Sequence, residues 1–395
     1  RQMCIRDRYK RGCKFCIEPK KGVPIWRQPE DIIEEVKIAH DLGVKHVRLG
    51  GMTDTYTYMA DGVVELEYPV PNPEPIAQLL HGLREDERLE ILHTDNGNPS
   101  IIAENLEPSE AITKTLVETL SDGAVLSFGL ESADQAVHEA NWLNCDPSQL
   151  KTAIRLINKY GSERGNRGLP KLLPGLNFIA GLNGETSTTY EQNLALLRDI
   201  RNENLLLRRI NIRQVEGVGF QGIIETDFGD FKQVVRDEID TPLLEELFPM
   251  GEVLRDVRWE SHNGRTRLPS HLESPHIDEG IRGKAGITFG RQIGAYPILV
   301  GAEYLIPLET TSDIIVTGHG ARSITGIECA LNLDTVSEKQ LAAIPGIGSK
   351  SAWKLITERV KLKRKDPTRT FADTETWFSN AGLVWQDNLA KYFTL

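Results

Sequence analysis

Two cysteines lie three positions apart near the start of the chain, in the segment Gly12-Cys13-Lys14-Phe15-Cys16. Two thiolates at this spacing can hold one soft metal centre from a single loop. Three chemistries use such a pair: half of a zinc site, which needs a second pair, a thioredoxin-like redox pair, and part of an iron–sulfur ligand set, which needs three or four thiolates. The fourth interpretation is that the two cysteines have no chemical role. No second pair of this spacing occurs in the sequence.

Small and polar residues follow three apolar runs farther along the chain. Gly50 and Gly51 end the first run, Glu131 and Ser132 follow the second, and Gly181 ends the third. Glycines at a strand end let a ligand approach the backbone closely. Because active sites of parallel barrels lie at the carboxyl ends of the strands, we expect these residues at one face. A structural alternative stays open, since strand-end glycines are common and Glu131 is suited to capping the next helix.

Apolar runs alternate with stretches of helical periodicity over the first 250 residues, which predicts repeated βαβ units and a parallel sheet. The predicted strands are 46–50, 89–94, 124–130, 174–181 and 208–215. The predicted helices are 29–42, 72–85, 107–120, 148–160 and one that ends near 202, opened by a capping box of Thr188 and Glu191. No strand precedes the cysteine loop, so we expect the first strand of this fold to be missing.

The pattern changes after residue 250. Residues 251–330 are punctuated by glycine and strand-like over 286–300 and 313–317, which predicts a small β module such as a barrel. Residues 331–395 are helical and polar. We therefore predict three domains, 1–250, 251–330 and 331–395.

The composition is that of a globular protein, with 39% hydrophobic and 26% charged residues in a chain of 395. A formal net charge of −11 argues against indiscriminate coating of nucleic acid, although the segment 331–395 carries ten Lys/Arg against seven Asp/Glu. No apolar run reaches transmembrane length and no signal peptide precedes the first cysteine. We therefore expect no membrane partner and a reducing, cytoplasmic location.

A second motif lies in the tail, where two helical stretches flank Pro345-Gly346-Ile347-Gly348. Ser337 and Gln340 form a capping box for the first helix. The hairpin glycines free backbone N–H groups to bind a phosphate, and Lys350 and Lys354 add positive charge. This segment resembles a helix–hairpin–helix. The predicted nucleic-acid contacts are Gly346, Gly348, Lys350 and Lys354, with a protein contact as the alternative.

The apolar residues of this motif should form a small core of their own. The predicted core is Leu341, Ile344, Ile347, Ala352 and Ile356. Residues 371–393 resemble a second copy that has lost one hairpin glycine.

Among the histidines, His93 at a strand end is the candidate site residue, with an ordinary core role as the alternative.

Over residues 9–230 the chain resembles the radical S-adenosylmethionine (radical SAM) superfamily. The resemblance implies a partial (β/α)6 TIM-like barrel within an α/β fold, followed by the small β module and an all-α helix–hairpin–helix domain. It implies a [4Fe–4S] cluster and S-adenosylmethionine as cofactors. Electron transfer from the cluster would cleave S-adenosylmethionine to a 5′-deoxyadenosyl radical, which abstracts hydrogen from a substrate.

The resemblance also implies roles for individual residues. Cys13 and Cys16 would be two of the three cluster ligands, and Phe15 would face the adenine. Gly50 and Gly51 would bind the methionyl amino group. Glu131 and Ser132 would contact the ribose or the carboxylate. Gly181 would admit the adenine.

The first cluster ligand departs from the family pattern. The usual Cys-x3-Cys-x2-Cys spacing requires a cysteine at position 9, where this chain has Tyr9. Cys4 is the upstream thiol and would serve as a metal ligand through a longer first gap. Residues 1–8 resemble translated sequencing-adapter read-through, so we predict that Cys4 is a poor ligand. Met52 replaces the acidic residue that is common after the two glycines. Backbone carbonyls or Asp54 would then have to accept the hydrogen bonds of the methionyl amino group.

The whole pattern resembles an uncharacterised group of radical SAM enzymes with a C-terminal helix–hairpin–helix. It predicts radical chemistry on an unidentified substrate, with nucleic acid as the candidate, and an electron donor of the flavodoxin or ferredoxin type. Two alternatives stay open. One is a non-catalytic nucleic-acid-binding protein with a degenerate barrel, and the other is a zinc-dependent enzyme that uses Cys13 and Cys16.

Overall fold

The structure is a computed structural model that describes residues 12–17, 24–51, 54–262, 279–371 and 373–393. Cys4, Tyr9 and Met52 lie outside the described residues. The chain separates into two compact units, the first made of residues 1–243 and 294–296 and the second of residues 244–293 and 297–395. The β-rich segment and the helical tail thus fall in one unit, and the three-domain division stays a prediction.

Parallel strands form the sheet of the first unit. In chain order they are β1 (His46–Arg48), β2 (Ile91–His93), β3 (Asn96–Gly97), β4 (Ala124–Glu131), β5 (Leu172–Ala180) and β6 (Arg209–Gln214). β1 pairs with β2, and the remaining four pair in the order β3-β4-β5-β6, every pair being parallel. This α/β content with parallel pairing is consistent with a partial TIM-like barrel, as predicted.

Helices connect these strands, as parallel pairing requires. They are α1 (Pro29–Asp41), α2 (Pro73–Arg84), α3 (Pro99–Glu104), α4 (Leu106–Thr119), α5 (Gln135–Asn141), α6 (Pro147–Gly161), α7 (Ser187–Asn202) and α8 (Glu225–Val235), with α9 (Thr241–Leu247) next in the chain. Within the described residues no helix combines the length and apolar character needed to cross a membrane.

Short polar side chains fix where several of these helices begin. The side chains of Asn72, Asn98 and Asp146 each accept a hydrogen bond from the backbone N–H two residues on, which satisfies an otherwise unpaired donor. The predicted capping box at Thr188 is wrong. Helix α7 begins at Ser187, because the hydroxyl of Thr189 accepts from the N–H of Thr186 at 3.0 Å and fixes the start two residues earlier.

Strand alternation separates an apolar face from a polar one. On β4, the buried Leu126, Phe128 and Leu130 belong to the core that packs under the helices. Ser127, Gly129 and Glu131 alternate with them and therefore point to the other face of the sheet. That second face is where the candidate site lies.

The second unit holds a closed five-stranded barrel, as the glycine-punctuated pattern predicts. Its strands are β7 (Val253–His262), β8 (Ala285–Gln292), β9 (Leu299–Tyr304), β10 (Thr311–His319) and β11 (Ser323–Glu328). They close in the order β10-β11-β9-β8-β7. The pair β9–β11 is parallel and the other pairs are antiparallel.

Three helices follow the barrel: α10 (Glu338–Ala343), α11 (Ser349–Lys365) and α12 (Thr374–Asn380). The capping box forms as predicted, with Ser337 Oγ accepting from the N–H of Gln340 at 3.1 Å and Gln340 Oε1 accepting in return at 2.9 Å. Four of the five predicted core residues are buried, namely Leu341, Ile344, Ile347 and Ala352. Ile356 is half-buried instead, because Leu355 takes the buried side of α11.

Candidate active site

The cysteine loop is a tight turn held by backbone hydrogen bonds. The N–H of Cys16 donates to the carbonyl of Cys13 at 2.9 Å, and the N–H of Lys14 donates to the carbonyl of Asn141 at the end of α5 at 3.0 Å. The turn therefore presents both sulfur atoms from one short loop that is anchored to the helix following β4.

This loop packs at the carboxyl ends of three strands. Cys13 and Phe15 contact a small apolar cluster of Val137, Leu143 and Leu182. Val137 follows β4 and Leu182 follows β5, and the cluster also includes Val215, which follows β6. The structure thus places the cysteines where the sequence predicts the site residues to gather.

The thiol of Cys13 is strongly biased toward its protonated form. Burial raises its pKa to about 12, with further contributions from the nearby Glu131 and Cys16. Its Sγ lies 3.7 Å from Oδ1 of Asn144. A redox or nucleophilic cysteine needs a lowered pKa, so this environment argues against a thioredoxin-like role for Cys13. A metal ligand would lose its proton when the metal binds.

A complete four-ligand zinc site is not formed by the residues that the structure describes. Among them, no group of three or more His, Cys, Asp or Glu side chains is placed to hold a metal ion. Cys13, Cys16, Cys145 and Cys329 are free thiols. Cys4, the predicted third ligand, lies outside the described residues.

Glu131 is a buried carboxyl group with one oxygen atom left unsatisfied. It ends β4 in the left-handed region, with φ 69°, beside a register shift in the pairing with β5. Its Oε2 atom is buried and accepts no hydrogen bond from the described residues. Burial raises its pKa to about 8, opposed by the charge of Arg213. Strain and an unsatisfied buried group at a strand end are typical of a ligand-binding position.

Gly50 and Gly51 leave open space at the end of β1. A Cβ atom added to either glycine would meet no atom within 4 Å, and Gly51 has φ 78°. Leu49 still pairs with β2, its N–H donating to the carbonyl of His93 at 2.8 Å. The two glycines therefore follow the last paired residue of β1 and leave their backbone open, which is what a bound amino group would need.

Ser132 and Gly181 have structural partners in this fold. The hydroxyl of Ser132, which is 1% exposed, accepts from the N–H of Asp134 at 3.1 Å and supports the start of α5. A Cβ on Gly181 would lie 2.8 Å from the carbonyl oxygen of Val215, and φ is 89°. Packing against the segment after β6 thus requires glycine there. A cofactor contact for either residue stays a prediction.

His93, the candidate histidine, has a structural role in this fold. Its Nε2 lies 3.0 Å from the carbonyl oxygen of Ser121, and its Nδ1 accepts from the N–H of Ala295 at 3.0 Å. Burial lowers its pKa to about 4. With both ring nitrogens occupied, His93 is a neutral core histidine rather than a free catalytic group.

Residues 10–197 match the family model of the radical SAM superfamily. This segment is a radical SAM domain. Radical SAM domains use a [4Fe–4S] cluster and S-adenosylmethionine, and these are the cofactors of the matched segment.

Sequence relatives extend the similarity beyond the radical SAM domain. An uncharacterised protein of Archaeoglobus fulgidus is 38% identical over 350 residues, covering 85% of this chain and 60% of its own length. An uncharacterised protein of Methanocaldococcus jannaschii is 36% identical, covering 80% and 56%. A tRNA-2-methylthio-N(6)-dimethylallyladenosine synthase of Methylacidiphilum infernorum is 24% identical, covering 84% and 65%. The chain therefore spans less than two thirds of each of these relatives.

Solved radical SAM structures align with parts of the chain. The methyltransferase TsrM from Kitasatospora setae, solved with cobalamin and a [4Fe–4S] cluster, has a TM-score of 0.36 and 12% identity, covering 51% of this chain and 32% of that one. Coproporphyrinogen III oxidase from Escherichia coli has a TM-score of 0.31 and 17% identity, covering 60% and 48%.

The described residues fit the cofactors of a radical SAM domain. Cys13 and Cys16 offer two thiols from one loop, Glu131 offers an orphaned carboxylate oxygen, and Gly50 and Gly51 leave open space. All five are at or next to the carboxyl ends of strands. Hydroxyl or ammonium groups of S-adenosylmethionine would supply the hydrogen-bond donor that Glu131 lacks.

A polar network in the first unit was not predicted. Asn211 Nδ2 donates to Asn177 Oδ1 at 2.8 Å, and Asn177 Nδ2 donates to Ser127 Oγ at 3.0 Å. Arg209 Nε donates to Asn211 Oδ1 at 2.7 Å. The chain Ser127–Asn177–Asn211–Arg209 therefore crosses β4, β5 and β6. Its sequence signal is the alternation of polar and apolar residues along β6, which predicts two different faces.

Tyr296 adds an aromatic ring to the same unit. Its hydroxyl lies 3.1 Å from Oδ1 of Asp95, which also pairs with Arg48. The guanidinium groups of Arg48 and Arg209 lie 5.9 and 5.5 Å from the centre of the ring. No local pattern predicts this contact, because Tyr296 and Asp95 are 201 residues apart.

Proposed function

We propose that this protein is a radical SAM enzyme that cleaves S-adenosylmethionine reductively and acts on a nucleic-acid substrate. The observation that carries the proposal is the meeting of the cysteine loop with Glu131. The loop packs on residues that follow β4, β5 and β6, and Glu131 is near enough to raise the pKa of Cys13. The cysteine loop and an unsatisfied carboxyl group thus lie at one edge of the sheet.

Each site residue has a part in this proposal. Cys13 and Cys16 would hold the cluster, with Cys4 as the candidate third ligand, and Phe15 would face the adenine. Gly50 and Gly51 bind the methionyl amino group through backbone atoms. Glu131 and Ser132 contact the ribose or carboxylate, and Gly181 admits the adenine.

A cluster held by Cys13 and Cys16 would supply the electron for reductive cleavage of S-adenosylmethionine to methionine and a 5′-deoxyadenosyl radical, and this radical would take a hydrogen atom from the substrate. A flavodoxin- or ferredoxin-type protein would restore that electron. The chain's own residues position the cofactor, and the network of Ser127, Asn177 and Asn211 offers amide and hydroxyl groups to a polar substrate.

Three observations support nucleic acid as the substrate class. The tail carries ten Lys/Arg against seven Asp/Glu. Two helices flank the glycine hairpin, at which a Cβ on Gly346 or Gly348 would meet no atom within 4 Å. A relative that is 24% identical over 84% of this chain is named for modification of a tRNA base. The predicted contacts of the helix–hairpin–helix are Gly346, Gly348, Lys350 and Lys354.

Anaerobic reconstitution tests the radical SAM activity. We expect a brown protein with about four irons per chain that releases 5′-deoxyadenosine from S-adenosylmethionine when dithionite is added. Cys329→Ala, which changes a thiol of the second unit, should behave like the parent. A colourless protein, or a brown one that releases no 5′-deoxyadenosine, contradicts the proposal.

The substrate class is tested by adding pools of RNA or DNA to the reconstituted protein. Either pool should raise the release of 5′-deoxyadenosine, and equal release with and without them contradicts nucleic acid as the substrate class.

A non-catalytic nucleic-acid-binding protein is the second candidate. The observation that favours it is Tyr9, which stands where the usual spacing requires the first cluster cysteine. In that case reconstitution yields little iron, whereas nucleic-acid binding persists. The same two measurements therefore separate the candidates.

A further inference from the structure

Helix α11 presents an exposed face that combines one aromatic ring with several cations. Its exposed residues fall on one side of the helix, because they recur at intervals of three and four positions. We call this the Trp353 face and define it by Lys350, Trp353, Lys354, Val360 and Arg364, all exposed. The buried residues of α11, Ala352 and Leu355, point the other way and pack in the second unit.

Trp353 is unusual among the tryptophans of this chain. Its side chain is 59% exposed, whereas Trp259 and Trp377 are buried and the remaining three are half-buried. An exposed indole beside a second exposed apolar residue, Val360 at 44%, leaves apolar surface in water. Such surface at the centre of a charged face indicates a partner that offers both a flat apolar group and charge.

The charges of α11 specify the sign of that partner. The helix carries seven Lys/Arg and one Glu. Lys350, Lys354 and Arg364 form no ion pair with any residue that the structure describes, whereas Lys361 pairs with Glu358 and Lys363 with Asp334. A face with unpaired cations on both sides of an aromatic ring is complementary to a polyanion.

The barrel of the same unit does not have this character. Arg255 pairs with Asp313, Arg258 with Glu309 and Arg291 with Glu260. The charge of each of these barrel arginines is therefore already balanced by an acid. This contrast singles out α11, rather than the strands, as the anion-binding part of the second unit.

We propose that the Trp353 face binds unpaired nucleotides, with a base stacked on the indole of Trp353 and phosphates held by Lys350, Lys354 and Arg364. A base in a duplex has no free face to offer, so stacking on one exposed ring selects single strands, loops or ends. The inference deepens the nucleic-acid part of the proposed function and rests on it. It adds strand selectivity, which binding of phosphate by the hairpin backbone does not give.

Fluorescence anisotropy of the full chain tests this selectivity. A labelled short single strand and the matching duplex are titrated with the parent, Trp353→Ala and Trp353→Phe. Because stacking of a base on an aromatic side chain contributes about 1–3 kcal/mol, Trp353→Ala should weaken single-strand binding roughly tenfold and duplex binding less than twofold. Trp353→Phe should recover most of the affinity. Met250→Ala, which removes another exposed apolar side chain of the second unit, should change neither.

Intrinsic fluorescence gives a second measurement. The single strand should quench the parent, and the quenching should be largely lost in Trp353→Phe, since Trp353 is the one exposed tryptophan of the six. Equal weakening of strand and duplex by Trp353→Ala overturns strand selectivity. Unchanged strand binding in Trp353→Ala, with loss in Gly348→Glu, overturns this inference and leaves the nucleic-acid substrate class standing. If neither probe binds at low salt, both this inference and nucleic acid as the substrate class are overturned. The Trp353 face would then fit an acidic peptide partner.

Discussion

Gly129 leaves the space that the carboxyl group of Glu131 occupies. A Cβ atom added to Gly129 would lie 2.5 Å from Oε1 of Glu131, much closer than carbon and oxygen approach. The two residues flank the point where the pairing of β4 with β5 shifts register. The lack of a side chain at Gly129 thus decides where the unsatisfied carboxyl group of Glu131 can lie.

Gly129→Ala should therefore weaken S-adenosylmethionine binding without unfolding the protein. The new methyl group would displace the flexible end of Glu131 and disrupt the proposed hydrogen bond with the ligand, which should cost roughly tenfold in affinity. Isothermal titration of the reconstituted protein measures this. Gly229→Ala on α8, where an added Cβ meets no atom within 4 Å, is the control. Unchanged affinity in Gly129→Ala would mean that Glu131 is not a ligand-binding residue.

Cys13→Ala and Cys16→Ala should each abolish cluster binding, because each leaves a single thiolate in the loop that would hold the cluster. Iron content and visible absorbance after anaerobic reconstitution measure the loss. Cys4→Ala should have a smaller effect, in keeping with the adapter-like residues around Cys4. If Cys4→Ala loses as much iron as Cys13→Ala, Cys4 is a native ligand. Full iron in either of the other two variants would falsify the cluster assignment.

Gly50→Val should lower the affinity for S-adenosylmethionine, since valine fills open space at the end of β1 where the amino group would bind. The melting temperature should change little, because an added Cβ meets no neighbour within 4 Å. Titration and thermal unfolding of the same sample distinguish these effects. A large fall in melting temperature would show that the position is structural.

The acid stability of the protein should depend on His93. Burial lowers its pKa to about 4, below the ordinary value of 6.5, so between these values the unfolded chain binds a proton that the folded chain does not. Its contribution to stability is complete above pH 6.5 and falls by about 3 kcal/mol as the pH is lowered to 4. Denaturant unfolding of the parent and His93→Gln across this range tests the prediction. The variant should lose less stability on acidification, and parallel curves would refute the prediction.

Gly348→Glu should remove most nucleic-acid binding by the full chain. The new carboxylate would lie where the hairpin amides are predicted to hold a phosphate. For duplex DNA, each phosphate that the variant no longer binds should flatten the plot of log affinity against log salt by about 0.9. Val384→Glu adds the same charge at another exposed position of the second unit and should have a small effect. Similar decreases in both variants would point to net charge alone.

The sequence predicts the elements of this protein better than it predicts their contacts. The sequence pattern locates β4, β5 and β6 to within two residues, because β4 and β5 are nearly continuous buried runs and β6 alternates between polar and apolar residues. The capping box of α7 is misplaced because Thr186, Thr188 and Thr189 are equally good candidates until the hydrogen bonds are seen. The place of Glu131 at a strand end is predictable, whereas its left-handed backbone and its dependence on Gly129 are not.

Residues 294–296 belong to the first unit although they lie in the chain between two strands of the second. Ala295 reaches His93 and Tyr296 reaches Asp95, over sequence separations of 202 and 201 residues. During synthesis, β1 to β6 emerge from the ribosome well before these partners do. The first unit must therefore wait for about 80 further residues of nascent chain, counted from the end of β6 at Gln214 to Tyr296, before the contacts of residues 294–296 can form. Such late, long-range closure is intrinsically slow, and it leaves the first unit incomplete until residue 296 has been synthesised.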